Sequence, residues 1–207
     1  MPRPRFEKLS TEKRDRILET AAREFAAHGF EKASLNRILA QASISKGAAY
    51  YYFDDKADLF ITVVQHCMAD LMGETELVLE EMTAVSFWPQ MRQLYSRQFA
   101  VVREKPWTMG VLKAVGRLPA DMLDNPALAA MLAQINAIMA ALIEQGQTAG
   151  VIRRDLPDAL LTGLFTAVDD AFDRWFTTHL SDLDAEQIET FLDRLIDTMQ
   201  RLLAPSS

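Results

Sequence analysis

Three helical signals crowded into about fifty residues between Thr11 and Leu59 limit the fold of this 207-residue chain more than any other feature. From Thr11 to His28, Ile17, Ala21 and Phe25 recur every four residues with Leu18, Ala22 and Ala26 beside them, giving one buried helical stripe. Gly29 then supplies a helix stop. Ser34 is placed to cap a second short helix over 35–42, whose Leu35, Ile38, Leu39 and Ala42 share a face and pack on the first. Ser43-Ile44-Ser45 breaks that helix, and Ser45 caps a third that halts at Phe53. A helix of about two turns is marginal in isolation, so its neighbours must hold it. Two short helices joined by a turn of three or four residues match a helix-turn-helix unit, with the third helix of the set as its recognition helix.

That third segment carries Lys46, Gly47, Ala48 and then Tyr50, Tyr51 and Tyr52 in succession. Phenol and serine hydroxyls donate to phosphate oxygens without reading sequence, whereas groups at the start of a recognition helix reach base edges. Lys46 has the chemistry to donate to guanine O6 or N7, the Ala48 methyl to touch a thymine methyl, and Gly47 to bring the backbone close. The plainer alternative for any single tyrosine is packing at a helix edge with its hydroxyl in water.

The order Ile17-Leu18, Ala21-Ala22, Phe25, Gly29-Phe30, Ser34, Ile38, Ala42, Ile44-Ser45, Gly47, Tyr50, Phe53, Lys56 and Leu59 resembles the amino-terminal domain of the tetracycline-repressor (TetR) family of bacterial transcriptional regulators. The resemblance covers residues 11–60. Three positions depart from it: Ser43 stands where the family usually has glycine, Leu39 where it usually has alanine, and Tyr52 where histidine is frequent. A serine in a left-handed turn position costs about 1 kcal/mol, which a packed turn absorbs. The resemblance implies that Ser34, Arg37, Tyr50, Tyr52 and Lys56 grip phosphates. Lys46, Gly47, Ala48 and Tyr51 would face the major groove, and the capping Ser45 belongs to the same set. It also implies a homodimer on double-stranded operator DNA. A small-molecule effector bound in the rest of the chain would move a connecting helix and spread the two heads.

Net charge of −7 and a pI near 5.0 argue against a nucleic-acid binder until their distribution is considered. Up to Lys56 there are 11 Lys and Arg against 8 Asp and Glu; the remainder has 11 against 21. A weakly basic head on an acidic body presents one end to phosphate and repels it elsewhere. The same acidic helices also serve solubility. No apolar run approaches the ~18 residues that span a bilayer, the start MPRPRFEKLS lacks the apolar core of a secretory signal, and the single Cys67 excludes an internal disulfide framework. A cytoplasmic protein without a membrane partner is expected. Arg3, Arg5 and Lys8, with Pro2 and Pro4, form an amino-terminal arm suited to phosphates or a minor groove. A disordered start is its plainer reading.

Beyond residue 55 long helices with few breaks are expected, near 56–82, 88–104, 107–116, 126–148, 157–180 and 184–203, with Asp182 capping the last. No strand-like alternation is sustained. The expected fold is all-α, about nine helices, with residues 1–55 as the DNA-binding domain and 56–207 as the ligand-binding and dimerisation domain. The last two helices carry more apolar circumference than one core face needs. Phe165, Val168, Phe172, Trp175, Phe176, Phe191, Leu195 and Met199 therefore fit a dimer interface made as a four-helix bundle, with an intramolecular core as the alternative. Large adaptable side chains, among them Trp88, Tyr95, Phe99, Trp107, Met109 and Phe172, suit a pocket for apolar ligands and equally suit a helical core. His28, His66 and His179 lie far apart, so neither catalysis nor a metal or other cofactor is expected. His66 and Asp70, at i and i+4, would make at most half a metal site. The sequence thus reads as a ligand-responsive regulator, most simply a repressor. An activator of the same family, and a helical lipid-binding protein or enzyme keeping the head only structurally, are the alternatives.

Overall fold

The computed structural model describes residues 2–73 and 81–205. Among these are eleven α-helices, nine of them seven residues or longer, and no strand. In chain order they are α1 (Pro4–Glu7), α2 (Thr11–Lys32), α3 (Leu35–Gln41), α4 (Lys46–Tyr52), α5 (Lys56–Met72), α6 (Phe87–Glu104), α7 (Trp107–Val115), α8 (Ala120–Leu123), α9 (Pro126–Thr148), α10 (Asp158–His179) and α11 (Ala185–Leu203). The helix expected over 56–82 ends at Gly73, which takes φ 59°; residues 74–80 of that expectation lie outside the described residues.

The chain divides into two compact units, one of Met1–Gly73 with Lys105–Leu132 and one of Glu74–Glu104 with Ala133–Ser207. In the first, α2 is the central element, packed by α3, α5 and α7. Its Ile17, Ala21 and Phe25 meet Ile38, Leu59, Phe60, Val64 and Val111 in one core, where the Phe25 and Phe60 rings cross edge to face at 4.9 Å. Each such large side chain contributes roughly 1.5–3 kcal/mol on burial, which is how helices of seven residues persist. Gly110 lets α7 approach α2 closely: a Cβ there would fall 2.7 Å from the Ala26 methyl. The stop expected at Gly29 is a break inside α2. Gly29 adopts φ 69°, and Ala33 N–H closes the end by donating to Gly29 O at 3.2 Å. The arm is ordered from Pro4 onward, because Phe6 is fully buried against the rings of Tyr52 and Phe53.

In the second unit α6, α10 and α11 enclose Phe99, Leu161, Phe165, Phe176, Leu192, Leu195 and Met199. Phe99 and Phe176 stack at 4.2 Å. Arg92 ties α6 to α11 by 2.7 Å bonds to both Glu189 and Asp193. The cap of α11 is Asp184, not Asp182. Its carboxylate accepts from Gln187 N–H while the Gln187 amide oxygen accepts from Asp184 N–H, a reciprocal capping box, and Asp182 belongs to a preceding 3-10 turn.

The expectation that no apolar run approaches a bilayer span holds for uninterrupted runs but passes over α9. By length and composition this helix is apolar enough to cross a bilayer. Its alanines sustain the apolar character across Gln134 and Asn136, which break any uninterrupted run.

Candidate nucleic-acid interface

The helix-turn-helix is built by three side-chain caps. Ser10 Oγ accepts from Lys13 N–H at the start of α2, Ser34 Oγ from Arg37 N–H at 3.3 Å, and Ser45 Oγ from Ala48 N–H at 3.2 Å. Each satisfies one of the backbone donors that a helix start leaves without a partner. The turn between α3 and α4 requires a left-handed residue, and Ser43 supplies it at φ 55°, the one non-glycine with positive φ among the described residues. Ile44 N–H donates to Leu39 O at 3.0 Å, fixing the angle between the two helices.

A buried carboxylate organises the other side of α3. Glu24 is enclosed on α2 and its Oε1 accepts from Ser34 N–H at 2.8 Å and from Arg37 Nε at 3.1 Å. The sequence reading passed over Glu24, although its place three residues after Ala21, on the apolar stripe, marks it as inward-facing.

The structure brings the expected contact residues to one region but divides their roles. Ser45, Lys46, Gly47, Tyr50 and Tyr51 are exposed on α4 and its cap, with Tyr50 and Tyr51 at 46% and 45%; Ala48 is half-buried. Arg37 is exposed at its tip while held by Glu24, and Ser34 is half-buried as a cap. Two residues expected on phosphates are drawn inward. Tyr52 is only 8% exposed, because 100° per residue turns the third tyrosine of a run into the core, where it meets Phe6. The Lys56 ammonium donates to Glu31 O at 3.1 Å and Ala33 O at 3.3 Å and lies over the Phe30 ring. It thus closes the carboxyl end of α2, where a cation is favoured.

The residues expected at an effector pocket separate. Trp107 and Met109 lie in the first unit, Trp107 beneath the Arg23 guanidinium at 3.7 Å. Trp88, Tyr95, Phe99 and Phe172 lie in the second. A cleft of about 170 Å³ there is lined by Ser96, Phe99, Ala100, Arg103, Ile188, Glu189 and Leu192, so Phe99 alone of the expected set reaches it. That volume is below the roughly 300–1,000 Å³ of sites for drug-sized ligands.

The expected dimer residues also divide. Phe165, Phe176, Leu195 and Met199 are buried within their own chain and form its core, which corrects their assignment to an interface. Val168, Phe172 and Phe191 are half-buried, and Trp175 is 43% exposed.

His66 and Asp70 are 3.7 Å apart, but Asp70 accepts a 2.6 Å bond from Lys105, and no group of three potential metal ligands is present among the described residues. Cys67 is buried, and that burial pushes its thiol up to about 12, well away from a reactive thiolate.

Residues 17–63 match the family described as bacterial regulatory proteins, tetR family. Over 71 residues the chain is 38% identical to the HTH-type transcriptional repressor AcnR of Corynebacterium glutamicum, a match covering 33% of this chain and 38% of that protein. Over 56 residues it is 43% identical to the repressor SCO4008 of Streptomyces coelicolor, covering 27% and 29%. These matches thus span well under half of the curated relatives' length. Whole-chain likeness comes from solved structures. The fatty acid degradation regulator FadR of Bacillus halodurans superposes with a TM-score of 0.72 at 16% identity, covering 90% of this chain and 97% of that one. The TetR family regulator PfmR of Thermus thermophilus does so at 0.68 and 21% identity, covering 93% and 97%. At such identities these likenesses establish the all-helical fold, while the head supplies the sequence signature. Residues 17–63 thus carry the signature of the tetR family of bacterial regulatory proteins, in a chain whose all-helical fold is that of solved regulators.

Proposed function

We propose that this protein is a cytoplasmic DNA-binding transcriptional repressor that holds an inverted-repeat operator as a homodimer and releases it on binding a small apolar or amphipathic effector. Residues 1–55 are the reading domain and 56–207 the body that pairs and takes the effector. The observation that carries the reading is the outer face of α4. Lys46, Gly47, Tyr50 and Tyr51 stand exposed there, on a capped seven-residue helix, with the chemistry for phosphates and base edges. A head kept only as a structural unit has no need of these groups in water. The family match, over residues 17–63, falls on this same head.

Pairing follows from the reading. Two heads related by a two-fold axis read half-sites about one helical turn, or a multiple of it, apart. An effector releases DNA only if it binds the DNA-incompetent arrangement more tightly, so its affinity and the operator's oppose each other by the same factor. The aromatic side chains of the second unit, Trp88, Tyr95, Phe99 and Phe172, favour an apolar or amphipathic molecule.

Selection of bound sequences from a random duplex pool at near-physiological salt tests the proposal. Enrichment of an inverted repeat is expected. A folded protein that enriches no sequence would overturn it.

A further inference from the structure

The carboxyl end of α4 poses a problem that the helix cannot solve alone. Its last carbonyls have almost no helix beyond them to donate back; Phe53 N–H reaches only Ala49 O. The amino-terminal arm supplies what is missing. Arg3 N–H donates to Tyr52 O at 2.8 Å, and Arg3 Nη1 donates to Tyr50 O at 2.8 Å. Arg3 Nε donates to Asp54 Oδ1 at 2.9 Å, just past the helix end. One residue thereby satisfies two orphan carbonyls, places a cation at the negative end of the helix and pairs with the carboxylate that follows. Phe6 anchors the arm, its ring 4.8 Å from that of Phe53, and the Arg5 guanidinium lies 4.0 Å over Tyr51.

We propose that Arg3 is a positioning residue of the DNA-reading helix: from the amino-terminal arm it clamps the carboxyl end of α4 and fixes the orientation in which Tyr50 and Tyr51 meet DNA. This rests on the DNA-binding function proposed above. Arg3 forms these bonds within the protein, whereas a basic arm that tracks phosphates or a minor groove would direct its charge to the duplex. The planar fork of arginine is needed, because one guanidinium serves a carbonyl and a carboxylate at once, which a lysine ammonium does not reproduce.

The two roles predict opposite signs for Asp54. If Arg3 positions α4 through Asp54, Asp54→Ala weakens operator binding even though it removes a negative charge from the head. If Arg3 contacts DNA directly, Asp54→Ala frees the guanidinium and strengthens binding. The experiment compares the full-length protein with Arg3→Gln, Arg3→Lys and Asp54→Ala, by operator affinity across a salt series and by amide hydrogen exchange without DNA. The expected result is an affinity loss of about tenfold in all three, as for a lost charge-assisted bond. The slope of log affinity against log salt should stay unchanged. Exchange should quicken at residues 50–54 and not at Ile17–Phe25. Four outcomes would each overturn the proposal: tighter operator binding by Asp54→Ala; a slope reduced by about 0.9, the loss of one phosphate contact; full activity in Arg3→Lys; or unaltered exchange at 50–54. The exchange measurement needs no DNA, so it decides the role of Arg3 at α4 even if the wild-type protein enriches no operator.

Discussion

At the scale of single residues, the tyrosine run shows how far composition and spacing carry and where they stop. Three consecutive phenols were legible as the marker of a reading head, but successive residues of a helix point 100° apart, so three cannot share one face. Tyr50 and Tyr51 stay in water and Tyr52 closes the core. Tyr50→Phe should therefore weaken operator binding by about tenfold or more, the net value of one hydrogen bond to a charged acceptor. Tyr52→Phe should leave affinity unchanged, while Tyr52→Ala lowers stability by about 3 kcal/mol. Fluorescence anisotropy with a labelled operator and thermal unfolding separate the two. Equal affinity losses in Tyr50→Phe and Tyr52→Phe would return Tyr52 to the DNA face. Ser43 was readable as a strained turn residue, and its φ of 55° agrees. The positions of Lys56, Arg37 and Arg3 were not readable. A long cation has several oxygens within reach, and only the fold decides whether a phosphate or a helix-terminal carbonyl is nearest.

At the scale of elements, helix limits were legible where short polar caps punctuate them, as at Ser34 and Ser45, whereas the stop at Gly73 lay inside an apolar pattern that continued past it. The capping box at Asp184 was visible too, in the glutamine three residues later, but an aspartate two positions earlier competes for the same pattern. What no pattern revealed was a partly buried pair across α6 and α10: the hydroxyl of the buried Tyr95 donates to Oδ1 of the half-buried Asp169 at 2.7 Å. Desolvation first, opposed by the tyrosine bond and aided by the neighbouring Asp170, brings the Asp169 carboxyl from 3.8 to about 6. A carboxyl raised on folding favours the native state while protonated. Its contribution is full below about pH 4, the unfolded value, and is lost as pH rises through about 6. Asp169→Asn keeps the shape and an acceptor for Tyr95 without the charge. It should raise the melting temperature at pH 7 by a few degrees and flatten the melting temperature between pH 4 and 6 relative to wild type. Melting curves across that range check it. A variant less stable than wild type at pH 7 would mean that the ionised form is the favoured one.

At the scale of the whole molecule, the two-fold operator proposed above would demand a two-fold protein, and the surface of α10 has the properties of a pairing face. Leu160 and Trp175 are exposed on this helix at 48% and 43%, and Leu164, Val168 and Phe172 lie half-buried between them at helical spacing. Trp175 is held flat by stacking on Phe191 at 4.9 Å and on His179 at 4.3 Å, so its ring is already ordered before any partner arrives. An ordered, half-exposed tryptophan in an apolar stripe has the properties of an interface hot spot, where truncation costs about 2 kcal/mol or more. The buried Leu195 and Met199, which sequence periodicity assigns equally well to an interface, cannot test pairing, because a charge there unfolds the chain that carries it. Trp175→Glu places its charge at the surface and should leave the monomer folded. Sedimentation is expected to show loss of the dimer, circular dichroism an unchanged helical spectrum, and operator affinity a fall larger than any single head mutation produces, since each half-site must then be bound independently. A Trp175→Glu protein that remains dimeric would move the pairing surface away from this face of α10.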